Sequence, residues 1–300
     1  MRKKYIIQVR SKQYTLGERT WIMGVLNITP DSFSDGGLFL DHKKAVEHGL
    51  KLAKEGADII DIGGESSRPG SDPISLTEEL DRVIPVITEL KQKTDVLISI
   101  DTMKAGVAEN ALDAGADIIN DISALRVDPD LAYLAAERKT PVILMHMLGT
   151  PKTMQDNPAY DNVLTQIHTF FEERIDYAVT RGIKKSKLFL DPGIGFGKRL
   201  QDNLVLLKVF SFFEDLNLPM LIGHSRKSFI GAILDLPVTQ RLEGTLASTT
   251  AAILNGAHIV RVHDVAAVRK AVLVTDAILA SSIEGGDHQK RRKKGTTYVH

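Results

Sequence analysis

Polar side chains end a series of short apolar segments along this chain. Each segment has the length of a buried strand, and each stops at an amide, carboxyl, imidazole or guanidinium group. One or two such endings are usual as helix caps or loop contacts, but a whole series of them indicates a shared site. The residues are Asn27, Asp61, Asp101, Asn120, His146, Asp191, His224 and Arg261.

The chemical types of these groups constrain the ligand. Asp101, Asn120 and Asp191 offer hydrogen-bond acceptors together with one amide that also donates. Such a set suits a flat heterocycle with adjacent N–H donors better than it suits a phosphate. Lys227 and Arg261 instead suit acceptor oxygens or phosphates. We therefore expect a polar slot for a heterocycle beside a cationic part for an anion.

The sequence favours magnesium over zinc. His146, His224 and His263 are too scattered for a zinc site, and no His-Glu-x-x-His motif is present. Magnesium needs only one or two protein oxygens in addition to substrate phosphates. Asn27 is the candidate metal ligand; the alternative is that its side chain only holds its own loop.

Two loops that follow early strands have distinctive compositions. The stretch 27–37 is rich in Pro, Asp, Ser and Gly, which are turn formers. The stretch 63–70 carries Arg68 among glycines and hydroxyl groups, which is typical of a mobile loop that closes over a phosphate. A plain flexible loop is the alternative for the second stretch.

Two further motifs follow later strands. The stretch 191–198 is rich in glycine but does not match a dinucleotide fingerprint or a Walker motif. It predicts a tight turn that brings the backbone and Phe196 towards a ligand. Lys227 and Ser228 open the next helix, whose N-terminus suits an anionic second substrate, although Ser228 as a simple cap is the competing interpretation.

The spacing of the segments predicts one (β/α)8 TIM barrel. Eight strand-and-helix units follow one another with no break in pattern, although a six-stranded open sheet with an appendage is an alternative. Three Gly-Ala pairs, beginning at Gly56, Gly115 and Gly256, predict left-handed helix caps that lead into strands. The predicted strands are 22–26, 59–60, 96–100, 118–119, 142–145, 188–190, 220–223 and 259–260, and the predicted helices are 41–55, 77–92, 104–114, a short one from Asp128-Pro129, 160–181, 203–216 and 266–282.

The bulk properties set further expectations. The 300 residues carry no net charge, so no global field favours nucleic acid or membrane. The absence of cysteine excludes disulfides and thiolate metal sites. The sequence also contains no apolar run long enough to predict a membrane span or a signal peptide. We expect a cytoplasmic protein with a hairpin at 1–20 that belongs to the barrel domain, a (β/α)8 barrel domain at 21–284 and a disordered basic tail at 285–300.

The motifs above resemble those of the bacterial dihydropteroate synthases, the folate-pathway enzymes that sulfonamides block. Two long signatures, 22–37 and 59–69, match almost position by position. Shorter matches follow in order at Asp101-Thr102, Asn120-Asp121, His146-Met147, 191–193, Lys227-Ser228 and 261–264. The resemblance covers about residues 21 to 282.

The resemblance implies a transferase reaction between 6-hydroxymethyl-7,8-dihydropterin diphosphate and 4-aminobenzoate, with Mg²⁺ as cofactor and Asn27 as its ligand. By similarity, Lys227 and Arg261 join the heterocycle slot, and Val262 and Phe196 belong to the substrate site. Arg261, His263, Ser67 and Arg68 are implied for the diphosphate, Phe33, Pro69 and Ser228 for the aminobenzoate, and Asp35 for a closing loop. Asp35, Arg68 and Lys227 are the implied catalytic residues.

The family pattern also implies a homodimer formed through late helices, with which an apolar face on 245–254 is compatible. One departure stands at Ser67, where the family more usually has Thr; Ser keeps the hydroxyl and loses a methyl group.

Two other functions share the pterin slot: a pterin-binding paralogue without turnover, and a corrinoid-dependent methyltetrahydrofolate methyltransferase. The diphosphate-type loops argue against the methyltransferase.

Overall fold

Eight parallel strands form the barrel in a computed structural model that describes residues 2–29 and 37–281. An antiparallel hairpin, β1 (Tyr5–Val9) and β2 (Lys12–Leu16), precedes it. The barrel strands are β3 (Trp21–Asn27), β4 (Ile59–Gly63), β5 (Leu97–Asp101), β6 (Ile118–Asp121), β7 (Val142–Met145), β8 (Leu188–Asp191), β9 (Leu221–Gly223) and β10 (Ile259–Val262). They run in the order β8-β7-β6-β5-β4-β3-β10-β9, and the pairing of Leu190 with Met220 brings the two ends of this sheet together. The TIM-barrel prediction is confirmed.

Helices cover the outside of the strands. Gly56, Gly115 and Gly256 have positive φ values of 103°, 117° and 107°, which confirms the predicted left-handed helix ends. The described helices are α1 (Gly37–Glu55), α2 (Leu76–Lys93), α3 (Ala105–Ala114), α4 (Asp130–Arg138), α5 (Val163–Thr180), α6 (Leu200–Lys208), α7 (Ser228–Leu234), α8 (Leu242–Leu254) and α9 (Val265–Ala280). None of the described helices is long and apolar enough to cross a bilayer.

One predicted helix is wrong in its extent. Instead of a single helix over 203–216, α6 begins at Leu200 and ends at Lys208, and Phe210–Leu216 forms a 3₁₀ helix. The carboxylate of Asp202 accepts the backbone N–H of Arg199, which fixes the earlier start. Phe210, Phe213 and Leu216 are buried at intervals of three residues, which is the period of a 3₁₀ helix.

The barrel interior changes from apolar to polar along its axis. At the amino-terminal end of the strands, all eight contribute buried side chains to a basal layer. These are Trp21 and Met23 from β3 and one from each other strand: Ile59, Leu97, Ile118, Ile143, Phe189, Leu221 and Ile259. Ile7, Val9 and Leu16 of the hairpin pack against this layer. The hairpin therefore closes the amino-terminal end of the barrel and excludes water from beneath the polar side chains that lie further along the strands.

We predict that the hairpin contributes measurably to stability. Leu16 is completely buried against the basal layer, so Leu16→Ala should lower the free energy of unfolding by about 3 kcal/mol, as measured by urea denaturation. Ile6→Ala is the matched control in the same hairpin, because the Ile6 side chain is 61% exposed; it should cost less than about 0.5 kcal/mol. Equal effects of the two substitutions would contradict this role of the hairpin.

Candidate active site

Alternation along the strands selects which polar side chains enter the barrel. Successive residues of a strand point to opposite faces, and the basal-layer residues identify the inward face. On four strands, the residue two positions after the basal-layer residue is charged or an amide and faces inward: Asp61, Asn120, Asp191 and Arg261. On β5 the inward-facing carboxylate is Asp101, four positions after Leu97. The carboxyl-terminal half of the barrel is thus lined by acids, an amide and one guanidinium group.

Four of these side chains form a continuous polar network. Arg261 donates from Nε to Asp61 Oδ2 at 2.6 Å and from Nη2 to Asp101 Oδ2 at 2.7 Å. Asn120 Nδ2 donates to the same Asp61 oxygen at 3.1 Å. Burial by itself lowers the pKa of the Arg261 guanidinium, but Asp61 and Asp101 outweigh burial and raise this pKa above its ordinary value. Arg261 therefore remains charged at neutral pH.

The network leaves acceptor capacity available to a ligand. Burial raises the pKa of Asp101 to about 7, although the positive charge of Arg261 acts in the opposite direction. The second carboxylate oxygen of Asp61, Oδ1, is buried and has no partner among the described residues. A ligand that presents N–H donors or positive charge to Asp101 would favour its ionised form.

Asp191 and Lys227 lie beside this network. Gly193 N donates to Asp191 Oδ1 at 2.8 Å, and burial raises the pKa of the Asp191 carboxyl. Lys227 Nζ lies 4.3 Å from the centre of the Phe196 ring and donates to the carbonyl oxygen of Ile194. Burial lowers the pKa of Lys227 to about 7, while Asp191 opposes this shift. A second acceptor from a ligand would stabilise the ammonium form.

The glycine-rich stretch 191–198 forms the predicted turn. Gly193, Gly195 and Gly197 have φ values of 67°, 80° and 65°. A β-carbon on Gly193 would lie 2.0 Å from the carbonyl oxygen of His146, so only glycine fits there. This turn carries Phe196, which packs with Met145 and Met147 and is 8% exposed.

The expectation that all eight strand-end residues face one cavity is wrong for two of them. His146 and His224 each follow an inward-facing strand residue, so alternation turns their side chains outward. His146 Nδ1 lies 2.9 Å from Lys198 Nζ, and His224 Nε2 lies 2.8 Å from Thr249 Oγ1. Both imidazoles are buried away from the polar network.

Val262 is turned outward for the same reason. It follows the inward-facing Arg261, and its side chain is completely buried in the apolar layer between the sheet and the helices. The structure therefore does not bring the Val262 side chain into the cavity with the other predicted site residues.

Two side-chain oxygens that could bind a metal lie close together at Asn27, the candidate metal ligand. Asn27, Gly63 and Asp101 are register partners on adjacent strands. A β-carbon on Gly63 would lie 3.7 Å from both Asn27 Oδ1 and Asp101 Oδ2. Hard oxygens around a gap kept open by glycine fit Mg²⁺ held mainly by substrate phosphates. Among the described residues, no group of three or more His, Asp or Glu side chains is arranged to hold a metal alone.

The remaining predicted residues border the mouth of the barrel. Ser67 is half-buried and lines a recess that also includes Asp101. Arg68, Pro69 and Ser228 are exposed. His263 is exposed, and its Nδ1 lies 3.1 Å from Ser225 Oγ.

Two predicted residues lie outside the part of the chain that the structure describes. They are Phe33 and Asp35, both within the gap at 30–36.

Sequence reasoning noticed Asp61 as a strand end but did not assign it to the site. The structure makes it a partner of both Arg261 and Asn120. The sequence did contain a signal: Asp61 stands in a strand otherwise composed of isoleucine and glycine. A carboxylate that is completely buried in such a strand requires a charged partner.

Comparison with known proteins identifies the family. Residues 23–263 match the family of pterin binding enzymes. The dihydropteroate synthase of Synechocystis is 48% identical over 263 residues, which cover 87% of this chain and 91% of that protein. A structure of Xanthomonas albilineans dihydropteroate synthase with 4-aminobenzoic acid superposes with a TM-score of 0.87 at 44% identity, covering 93% of this chain and 100% of that one.

A second Xanthomonas albilineans structure, in complex with 7,8-dihydropteroate, gives a TM-score of 0.83 at 41% identity and covers 92% of this chain and 99% of that one. The family match spans most of the chain, and the relatives align over nearly their whole length. The chain therefore belongs to the pterin-binding enzymes and, within them, to the dihydropteroate synthases of folate biosynthesis.

Proposed function

We propose that this enzyme condenses 6-hydroxymethyl-7,8-dihydropterin diphosphate with 4-aminobenzoate to give 7,8-dihydropteroate and diphosphate. The observation that carries this proposal is the convergence of Asp61, Asp101 and Asn120 around Arg261 inside the barrel, with Asp191 beside them across Gly223. The relatives that hold 4-aminobenzoic acid and 7,8-dihydropteroate support the choice of substrate and product.

The pterin ring lies in the polar network in this proposal. Asp101 and Asp191 accept hydrogen bonds from ring N–H groups, and Asn120 both donates and accepts. Lys227 donates to a ring acceptor, and the planar guanidinium of Arg261 packs against the ring. Phe196 borders the same slot because its ring lies under the Lys227 ammonium group.

The diphosphate lies towards the mouth, near Ser67, Arg68 and His263. Arg68 is exposed on its loop, where its guanidinium could bind a phosphate. Asn27 and the substrate phosphates hold Mg²⁺, consistent with the oxygens that converge around Gly63. When bound, Mg²⁺ neutralises the charge that develops on the leaving diphosphate.

The aminobenzoate lies beside Pro69 and Ser228 at the rim, where both residues are exposed. The family resemblance assigns Phe33 to this subsite and Asp35 to a closing loop; both residues fall in the gap at 30–36.

The proposed substitution is dissociative. The bond between the pterin methylene carbon and the diphosphate oxygen breaks first, and the cation left on the methylene is delocalised into the ring. Asp101 and Asp191 stabilise this cation electrostatically. The amine nitrogen of 4-aminobenzoate then forms the new C–N bond and releases one proton, so no strong general base is needed.

A turnover assay tests the reaction and its metal requirement. The purified protein with both substrates and Mg²⁺ should form dihydropteroate, and excess EDTA should reduce the rate at least about 100-fold because the leaving group then keeps its charge. Restoring Mg²⁺ should restore the rate. Binding of the pterin diphosphate without any product would instead indicate a pterin-binding paralogue.

We predict that Asp61 supports catalysis by orienting Arg261. Asp61→Asn keeps the shape of the side chain but removes the charge that fixes the Arg261 guanidinium. The kcat/KM for the pterin diphosphate should therefore fall about 100-fold in steady-state assays. Asp117→Asn is a matched control, since Asp117 is equally buried and pairs with Arg10 and Lys91 at the opposite end of the barrel. A similar loss of kcat/KM in both variants would contradict the assignment.

We further propose that the enzyme is a homodimer that associates through its last helices. Leu254 on α8 and Leu273, Val274 and Ile278 on α9 are 48%, 60%, 62% and 55% exposed. Large apolar side chains that cluster on adjacent surface helices are typical of a protein–protein interface.

We predict that Val274→Glu weakens this association. Placing a charge in the apolar face should raise the dimer dissociation constant at least about 100-fold, measured by light scattering over a range of concentrations. Val179→Glu is the control, because Val179 on α5 is also exposed, at 44%, and lies outside the proposed interface. A monomeric wild-type protein at micromolar concentration would refute the dimer.

A further inference from the structure

One lysine joins two carboxylates just outside the polar network. Lys104 Nζ donates to Glu65 Oε2 and to Glu79 Oε2, each at 2.6 Å. The Glu79 side chain is 1% exposed, and those of Glu65 and Lys104 are 13% and 24% exposed. None of these three side chains takes part in the proposed reaction.

The three residues come from three different parts of the barrel mouth. Glu65 lies in the loop after β4, two residues before Ser67. Lys104 lies three residues after Asp101, where it is the capping residue before α3, and Glu79 lies in the first turn of α2. The ammonium group of Lys104 therefore connects the Ser67–Arg68 loop to the strand end that carries Asp101.

The inner part of this loop is anchored, whereas its tip is exposed. Glu65 Oε2 also accepts Ile74 N at 3.2 Å, and Arg82 Nη1 donates to the carbonyl oxygen of Gly64 at 2.7 Å. Arg68 and Pro69 beyond it are exposed. Among the described residues, the contact of Lys104 with Glu65 is thus the last ion pair along the loop before the residues proposed to meet the diphosphate.

The charges make this attachment dependent on the lysine. Burial lowers the pKa of Lys104, but the hydrogen bonds that Lys104 donates to Glu65 and Glu79 raise this pKa overall, so the ammonium form is retained. Glu79 Oε1 is buried and has no partner among the described residues. Without Lys104, two close carboxylates would repel each other, and Glu65 would move outward together with its loop.

We propose that Lys104 is a positioning residue that sets the Ser67–Arg68 loop at the correct distance from the pterin slot. This inference rests on the proposed function, in which that loop binds the diphosphate. It implies that loss of Lys104 weakens binding of the diphosphate group specifically, because the ring is held by Asp101, Asn120, Asp191 and Lys227. A purely structural role for Lys104 would weaken binding of ring and diphosphate alike.

Calorimetric titration with two probes tests this inference. The probes are 6-hydroxymethyl-7,8-dihydropterin, which has the ring alone, and its diphosphate in the presence of Mg²⁺. In Lys104→Met the dissociation constant of the diphosphate should rise at least about tenfold, while that of the alcohol should change less than about threefold. Lys104→Arg should recover most of the lost affinity, since Arg also bridges two carboxylates.

Lys91→Met is the matched control. Lys91 is 26% exposed and pairs with the buried Asp117 at 2.9 Å, but it lies at the amino-terminal end of the barrel. Its substitution should leave both dissociation constants unchanged. Glu65→Ala provides a second test in case Lys104→Met does not fold, because Glu65 lies in a loop. This variant should show the same selective loss of affinity for the diphosphate.

The outcomes separate this inference from the proposed function. Failure of the wild-type protein to bind the diphosphate or to form product would refute the proposed function. Normal wild-type behaviour, with equal weakening of both probes in Lys104→Met or unchanged diphosphate affinity in Glu65→Ala, would refute the positioning role alone.

Discussion

The site depends on one guanidinium group held between two carboxylates inside the barrel. Arg261 from the last strand bridges Asp61 and Asp101, which lie 200 and 160 residues earlier in the chain. Removing such charges from water is costly, and the cost is offset only when each charge has partners with good geometry. The ion pairs form only when β10 lies beside β3, so closure of the barrel and assembly of the slot are the same structural event.

The barrel interior separates stability from chemistry along its axis. The basal layer is wholly apolar, and the hairpin seals it from below. On four of the eight strands, the next inward position holds a charged or amide group that an apolar core would not contain. Water excluded by the basal layer cannot screen these groups from beneath, which strengthens their interaction with a ligand that enters from the mouth.

The loops around the mouth are held by side chains from neighbouring elements. The glycine turn after β8 is tied by Gln155 and Tyr160, whose side chains donate to the carbonyl oxygens of Gly195 and Gly197. The loop after β4 is tied by Lys104 and Arg82. Loops with a rigid base and an exposed tip, such as the loop that carries Arg68, suit the proposed reaction, in which the ring is held firmly and the diphosphate departs.

The sequence by itself determined the repeating strand–helix pattern, the glycine helix ends and the acids, amide and cations proposed for the ring. These features follow from local periodicity, backbone preference and residue chemistry, all of which act over a few neighbouring residues. Local pattern did not distinguish His146 and His224 from Asp101, because each is simply a polar residue after an apolar run. Only the tertiary structure decided which face each strand turns inward, since that direction is set by packing on the basal layer. It also decided the partners of Asp61 and Lys104, because contacts between distant residues depend on the register of the closed sheet rather than on any local signal.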